Sequence, residues 1–388
     1  MTEEPSRCYV CQQELISRHS CYSELCPSCG DLNLRHRDEL ADLTGFTALV
    51  TGGRLKIGFE TVLKLLRCGA RVLLTTRFVD DAKARFLAVA DAAVWGHRLS
   101  LCPADFRVIA SMEAVLDWVR KECDQLDILI NNAAQTVRRP PAYYRSLVAG
   151  IRVADGRLEV GRERLLESSL LRGSSGSLVA RSDVWLGAAT VGRLSTFSLL
   201  PGDDAHAADV FPEGKRDEDG QQEDRRDFNS WMMRLEEVHP VEFLEVLYIN
   251  LLAPFLLCSQ LKEKMRKRHD ERPSFIVNVS AMEGNFYDPE KNYRHPHTNM
   301  AKAALNMMTR TAAGAYREER IFMTAVDPGW ITNEHPFPLS TPREQRKTRM
   351  AIDSRDGAAR ICDPILRALI DNEYLSGLLL KNYKIFPW

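Results

Sequence analysis

Between residues 45 and 135, short apolar or β-branched runs alternate with segments whose apolar positions recur at helical spacing. Phe46–Thr51, Arg71–Thr76, Leu99–Cys102 and Asp127–Asn131 read as strands. Between them, Ile57–Cys68, Asp80–Ala93 and Ile109–Glu122 read as helices. The rhythm stops near residue 138 and resumes near Pro240. Val241–Arg268 then predicts a long helix with a kink at Pro254, followed by a strand at Phe275–Ser280 and a helix at Asn299–Arg317. Ile321–Val326 is a strand, Arg355–Leu369 a helix, and Ser376–Leu380 a last short strand. Seven strands joined by crossover helices predict an α/β protein with a doubly wound parallel sheet.

Two stretches do not share that pattern. Residues 1–42 hold a cysteine cluster and end in a charged segment. Residues from about 138 to 235 contain Arg138-Arg139-Pro140-Pro141, a Gly/Ser patch at Gly173–Ser177 and a polar tract from Glu213 to Asp227. That tract has almost nothing to bury and reads as a solvated or disordered loop, although Leu165–Leu171 has enough apolar residues to dock locally. The expected organisation is a small unit at 1–42 and a main domain at 43–388, interrupted by a largely irregular insert at about 138–235.

Composition narrows the function classes. The 388 residues are 45% hydrophobic and 27% charged, a globular balance. Lys+Arg 52 against Asp+Glu 53 leaves a net charge of −1, which argues against a nucleic-acid footprint or an acidic membrane surface. Apolar runs such as Leu251–Cys258 fall short of the ~20 residues a bilayer requires. Glu3, Glu4 and Pro5 are unlike a signal or transit segment. A soluble, cytoplasmic protein is the expectation.

Five of the ten cysteines lie within the first 29 residues, and the others (Cys68, Cys102, Cys123, Cys258, Cys362) are scattered through apolar stretches as small core residues. Cys8-x2-Cys11 and Cys26-x2-Cys29, separated by fourteen residues, have the spacing of a four-cysteine structural zinc site. Cys21, His19 and His36 are alternative ligands or spectators. So short a segment has little core without its metal. It is expected to cap the sheet, cover the mouth of a site or bind a protein partner.

The first strand runs into Gly52-Gly53-Arg54-Leu55-Lys56-Ile57-Gly58 and then a helix. A glycine-rich turn there lets backbone N–H groups and the helix dipole meet a pyrophosphate. The second strand ends in Thr76-Arg77, where an acidic residue would bind a ribose 2′-hydroxyl; arginine suits a 2′-phosphate, so NADP is favoured over NAD.

With Thr51, Gly52, Gly58, Asp105, Asn131-Asn132-Ala133-Ala134, Asn250, Val277-Asn278-Val279-Ser280, Ala301-Lys302-Ala303-Ala304 and Asp327-Pro328-Gly329-Trp330-Ile331-Thr332 in this order, the chain resembles the short-chain dehydrogenase/reductase family. The match covers roughly 45–135 and 240–388. The resemblance implies a one-domain Rossmann fold, hydride transfer on a nicotinamide, and pairing of subunits through the two long helices. It also implies that Asp105 touches the adenine, that the Asn131-Asn132-Ala133 turn lines the cofactor, that Pro328 and Gly329 are cofactor-binding, and that Thr332 faces the nicotinamide amide. Lys302 would hold the ribose, and Asn250 would join a proton relay.

The departures concern the chemistry. The middle glycine of the family turn is Lys56, so its side chain must point away from the pyrophosphate or pair with it. The tyrosine position falls on Thr298 and the serine position on Ala281, with Ser280 one residue early. A threonine hydroxyl is a far weaker acid than a phenol. Tyr287 and Lys291 imitate the family spacing, but Pro289 lies between them and breaks the register. Tyr293 and His297 are the candidate substitute acids, and Ser280 or Thr298 the candidate contact to a substrate oxygen. Two functions follow: an NADP-dependent oxidoreductase acting on a small carbonyl or alcohol, or an inactive relative serving as a nucleotide-binding scaffold for a partner.

Overall fold

The computed structural model describes residues 6–144, 147, 199–200, 203, 207–217, 219–266, 272–287, 291–332, 334–336 and 350–388. Gly173–Ser177, Leu165–Leu171 and Pro289 lie outside them.

Eight strands form one sheet: β1 Thr47–Thr51, β2 Arg71–Thr76, β3 Leu99–Pro103, β4 Ile128–Asn131, β5 Ser274–Val279, β6 Ile321–Asp327, β7 Leu379–Lys381 and β8 Lys384–Phe386. Their spatial order is β3-β2-β1-β4-β5-β6-β7-β8. All pairings are parallel except β7–β8, which is antiparallel. The seven expected strands are present and β8 is an addition.

The main-domain helices are α2 Lys56–Arg67, α3 Val79–Leu87, α4 Ile109–Glu122, α5 Pro240–Leu247, α6 Ala253–Met265, α7 Pro296–Glu318 and α8 Ser354–Ile370, preceded by α1 Pro27–Asp38. Side chains of a strand alternate between the two faces, so β1 serves two cores. Ala48 and Val50 join Val62 and Leu65 of α2 and Ile361 and Ile365 of α8. Leu49 joins Val115 of α4, Leu257 and Leu261 of α6, and Ala313 of α7. The result is a three-layer Rossmann fold. Strand order reverses between β1 and β4, so the crevice for a ligand opens where Gly52 and Asn132 leave the sheet.

Three expectations change. The helix read as Asp80–Ala93 ends at Leu87, because Asp91 is drawn to Arg67 (2.8 and 3.1 Å) and the chain turns to bury Trp95 against Phe86. The kink assigned to Pro254 is a π turn over Tyr248–Leu252 that joins α5 to α6. Proline has no N–H to offer the Asn250 carbonyl four residues back, and the wider turn accommodates that loss. By length and composition the unit Pro240–Met265 is also long and apolar enough to cross a membrane, contrary to the shorter runs noted above. It is half buried in this fold, packed beside α4 and α7.

The polar tract is the largest correction. Where described, Glu213–Asp227 folds back on itself through a bridge between Arg216 and Gln222 and sends Arg226 into the interior. Arg226 pairs with Asp203 at 2.9 Å and Asp224 at 2.7 Å. Arg138, also buried, pairs with Asp203 at 3.6 Å and with Glu245 of α5 at 3.2 Å. Paired charges hold the insert together and Arg138 ties it to α5, beside buried apolar side chains of the insert such as Tyr143, Phe211 and Met233.

Candidate active site

The crevice predicted by the strand order is a cleft of about 360 Å³. Its floor is Gly52, Ile57 and Gly58, one wall is Asn132, Ala133, Ala134 and Gln135, and its far end is Thr76, Arg77, Asp105 and Tyr144. The floor is built by close approach: Gly52 has φ +69°, and a Cβ on Gly58 would stand 2.5 Å from both Asn132 Nδ2 and Gly52 O. Gly53 lies below the floor, where a Cβ would strike Leu74. Thr51 is buried and its Oγ1 accepts the N–H groups of Asn132 and Ala133, each at 3.0 Å, which locks the two chain ends together.

At the far end, Arg77 Nη2 donates to Tyr144 Oη at 2.9 Å, and its guanidinium lies over the rings of Phe78 and Tyr144. Burial pushes the Tyr144 phenol upward, but Arg77, Arg107 and Arg139 outweigh it and leave the phenol below its ordinary value. Asp105 forms a two-pronged pair with Arg107 at 2.9 and 2.7 Å. Arg54 is bound to Asp81 at 2.5 Å. Lys56 has φ +53° and pairs with Asp219 and Glu334.

The expected catalytic groups are scattered. Lys302 is buried and its Nζ donates to the Val279 carbonyl at 2.7 Å; burial lowers its pKa to about 8, against the pull of Glu283 and Asp327. One turn earlier on α7, Thr298 Oγ1 donates to the His295 carbonyl at 2.8 Å and sits 3.1 Å from His295 Nδ1. His295 caps α7, with Pro296 as its first helical residue, and stacks on Trp231 at 3.9 Å. Burial brings the imidazole down to about 4, with His297 and Lys291 adding to the effect.

Three candidates are directed elsewhere. Ser280 Oγ donates to Asn306 Oδ1 at 2.6 Å and is buried. His297 faces Glu242 of α5 (Nε2–Oε1 3.6 Å), with both side chains enclosed between the helices. Tyr293 is 62% exposed, beneath the guanidinium groups of Arg234 and Arg294. The loop before α7 therefore carries the phenol outward. Asn250 does not face the cleft with its amide: Oδ1 accepts the Gln135 N–H at 2.8 Å and Nδ2 donates to the Gln135 carbonyl at 3.2 Å, fixing the wall of the cleft.

The Cys8, Cys11, Cys26 and Cys29 sulfurs all lie within 4.8 Å of one another. Cys11 and Cys26 sulfurs are 3.9 Å apart, close to the ~3.8 Å edge of a tetrahedron with zinc–sulfur bonds near 2.3 Å. The Cys26 N–H donates to Cys8 Sγ at 3.3 Å. Cys21 is exposed, His19 pairs with Asp31, and His36 stacks on Tyr383, so these three are spectators. The cluster docks at two places. Tyr22, Asn33 and Arg37 converge on buried Asp356 at the start of α8 (2.7, 2.8 and 3.0 Å). The Trp330 N–H donates to Tyr9 Oη at 2.7 Å, and Ile331 packs into the small core around Cys8. Pro328, Gly329 and Thr332 thus belong to a turn seated against the cysteine segment, and the Thr332 hydroxyl is given to Glu334 Oε1 at 2.9 Å.

The residues missed by sequence reasoning are Asp219, Glu334, Arg139 and Tyr144. Glu334 stands two places after Thr332, the one positional signal available; the others lie in the insert, whose charges read as solvated.

Comparison with known proteins agrees with this geometry. The short chain dehydrogenase family matches residues 46–145, and the family described as enoyl-(acyl carrier protein) reductase matches residues 228–362. The chain belongs to the short-chain dehydrogenase/reductase family. An uncharacterized protein, R665, of Acanthamoeba polyphaga mimivirus is 30% identical over 369 residues, covering 92% of this chain and 71% of that protein. Retinol dehydrogenase 13 of Mus musculus is 33% identical over 98 residues, and this match spans 24% of the chain and 28% of that enzyme. Among solved structures, a short chain dehydrogenase from Burkholderia cenocepacia in complex with NADP superposes with TM-score 0.53 at 17% identity, covering 87% of this chain and 96% of that one. An NADPH-bound carbonyl reductase from chicken fatty liver gives 0.51 at 19% identity, with 89% and 100% covered. At these identities the likeness concerns the fold.

Proposed function

We propose that this family member binds NADP and moves a hydride between the nicotinamide and a small carbonyl or alcohol. The observation that carries the reading is Arg77 at the end of β2, held by Tyr144 at the far end of a cleft whose glycine floor opens onto α2. That cradle suits a pyrophosphate, and a guanidinium flanked by a phenol suits a 2′-phosphate. When bound, the nicotinamide supplies or accepts the hydride. The protein's part is to hold the ribose through Lys302, to keep the Asn132–Gln135 wall rigid through Asn250, and to hold the Thr298 hydroxyl one turn from Lys302. His295 Nδ1 stands behind Thr298 in place of a phenol. The cysteine cluster is read as a structural zinc site, and its reduced thiols suit the cytoplasm.

Calorimetric titration with NADPH and NADH at matched salt tests the cofactor. The expected result is tighter binding of NADPH, with Arg77→Ala weakening NADPH by about tenfold or more and leaving NADH unchanged. Equal affinity for the two cofactors would overturn the assignment. A second reading, the nucleotide-binding scaffold, is favoured by Ser280 turned to Asn306, Tyr293 on the surface and Thr298 in the tyrosine position. NADPH binding without turnover across a panel of aldehydes and ketones would select it. Protein partners for the cysteine segment and insert belong to that reading.

A further inference from the structure

Lys56 opens α2 in the left-handed region at the place where an incoming anion would meet the helix. Its ammonium is already engaged. Asp219 Oδ2 is 3.5 Å away and Glu334 Oε1 3.6 Å away. Neither carboxylate belongs to the sheet. Asp219 rides on the turn closed by Arg216 and Gln222, and Glu334 follows the turn after β6. Each is steadied from behind: Arg85 donates to the carbonyls of Asp219 (3.3 Å) and Gly220 (2.8 Å), and Asn229 Nδ2 donates to the Glu334 carbonyl at 2.9 Å. Glu334 and Gln221 line the same cleft as Gly52, Ile57 and Gly58. Burial favours a neutral Glu334, yet Lys56 and Arg139 prevail and hold it ionised. Two negative groups therefore stand at the positive end of α2, joined to the one lysine that replaces a glycine in its entry turn.

We propose that Asp219 and Glu334 set the affinity of the dinucleotide site by holding Lys56 in the place of a pyrophosphate, and that an entering pyrophosphate takes over Lys56 and frees the 216–222 turn. The inference rests on the cofactor reading above. A pyrophosphate brings more charge to the helix start than either carboxylate, but it must displace both and approach a half-buried Glu334 of its own sign. Cofactor entry and release of the insert then become one event, and the affinity measured is the difference between two ways of satisfying Lys56.

The test uses the zinc-loaded chain of 388 residues and its variants Asp219→Asn, Glu334→Gln and the pair together, which keep shape and remove charge. NADPH and inorganic pyrophosphate are titrated separately, and hydrogen exchange is followed across residues 213–227. The double variant is expected to bind NADPH about tenfold more tightly, since two partly exposed pairs no longer compete. Adding Lys56→Met should abolish that gain. Exchange at 216–222 should be faster in the double variant alone, and faster in the unaltered chain once NADPH is added. Equal NADPH affinity in both forms, or exchange unmoved by NADPH, would overturn the proposal. If neither form binds NADPH, the cofactor reading fails and pyrophosphate decides: binding to the double variant only supports the displacement, and binding to neither refutes it. Should the double variant fail to fold, Asp219→Asn alone is expected to show about a threefold gain, and no gain counts against the proposal.

Discussion

Lys302 and His295 are two buried bases at the start of α7, and both carry pKa values below their ordinary ones. A base whose folded pKa is depressed binds fewer protons folded than unfolded, so its contribution to stability is lost as pH falls through the folded value. For Lys302 the window runs from about 10.5 down to about 8. Urea midpoints should therefore rise between pH 8 and 10, and Lys302→Met should flatten that rise while adding stability at pH 7. For His295 the window runs from about 6.5 to about 4. Acid titration followed by near-UV circular dichroism should show tertiary structure weakening across it, and His295→Asn should reduce that loss. At this scale the sequence was readable where a motif carries the residue and unreadable where a loop aims it. Lys302 and the position of Thr298 follow from the resemblance of the α7 motif to its family. That Tyr293 points outward and His297 toward Glu242 depends on the turn at His295, whose φ of 38° no pattern of residue types announces.

Among the elements, α1 shows most clearly how separate pieces depend on each other. Its carboxyl-terminal carbonyls, at His36, Arg37 and Glu39, are collected by Lys64 Nζ of α2 at 3.1, 3.1 and 2.6 Å, and its side chains hold Asp356 of α8. Metal removal is expected to release this element. A chelator should lower the melting temperature, make residues 6–38 protease-sensitive and remove about one zinc per chain by elemental analysis. Asp356→Ala, which leaves Arg37 without its buried partner, should cost about 3 kcal/mol in denaturant unfolding. Helices and parallel strands were legible because apolar periodicity is strong over ten or more residues. β8 was not: three residues after a turn at Asn382 and Tyr383, both at positive φ, carry little pattern. Asparagine suits such a turn, while tyrosine in the second position hides it.

At the scale of the molecule, the insert is held by charges enclosed between it and α5. Arg226→Ala would take from buried Asp203 and half-buried Asp224 the cation they share, leaving them to Arg138 and Arg139. It is expected to destabilise the chain by about 3–5 kcal/mol, read as a lower urea midpoint with loss of protection at residues 207–235. Composition could not show this, because a polar tract that is solvated and one that is internally paired have the same residue content. Only the partners, Arg138 before the tract and Glu245 after it, distinguish the two.

The hydrogen bond from Tyr22 to Asp356 joins residues 334 positions apart. During synthesis the cysteine segment leaves the ribosome long before the helix it docks on. Its thiols can gather a metal early, yet its outer face has no seat until α8 has been made. So distant a contact closes a very large loop, which places it late in folding, after the sheet has formed. The earlier-made of the two partners therefore waits for the later one before it is fastened. The turn carrying Trp330 and Ile331 gains its contacts with Tyr9 and the core around Cys8 only at that closing step.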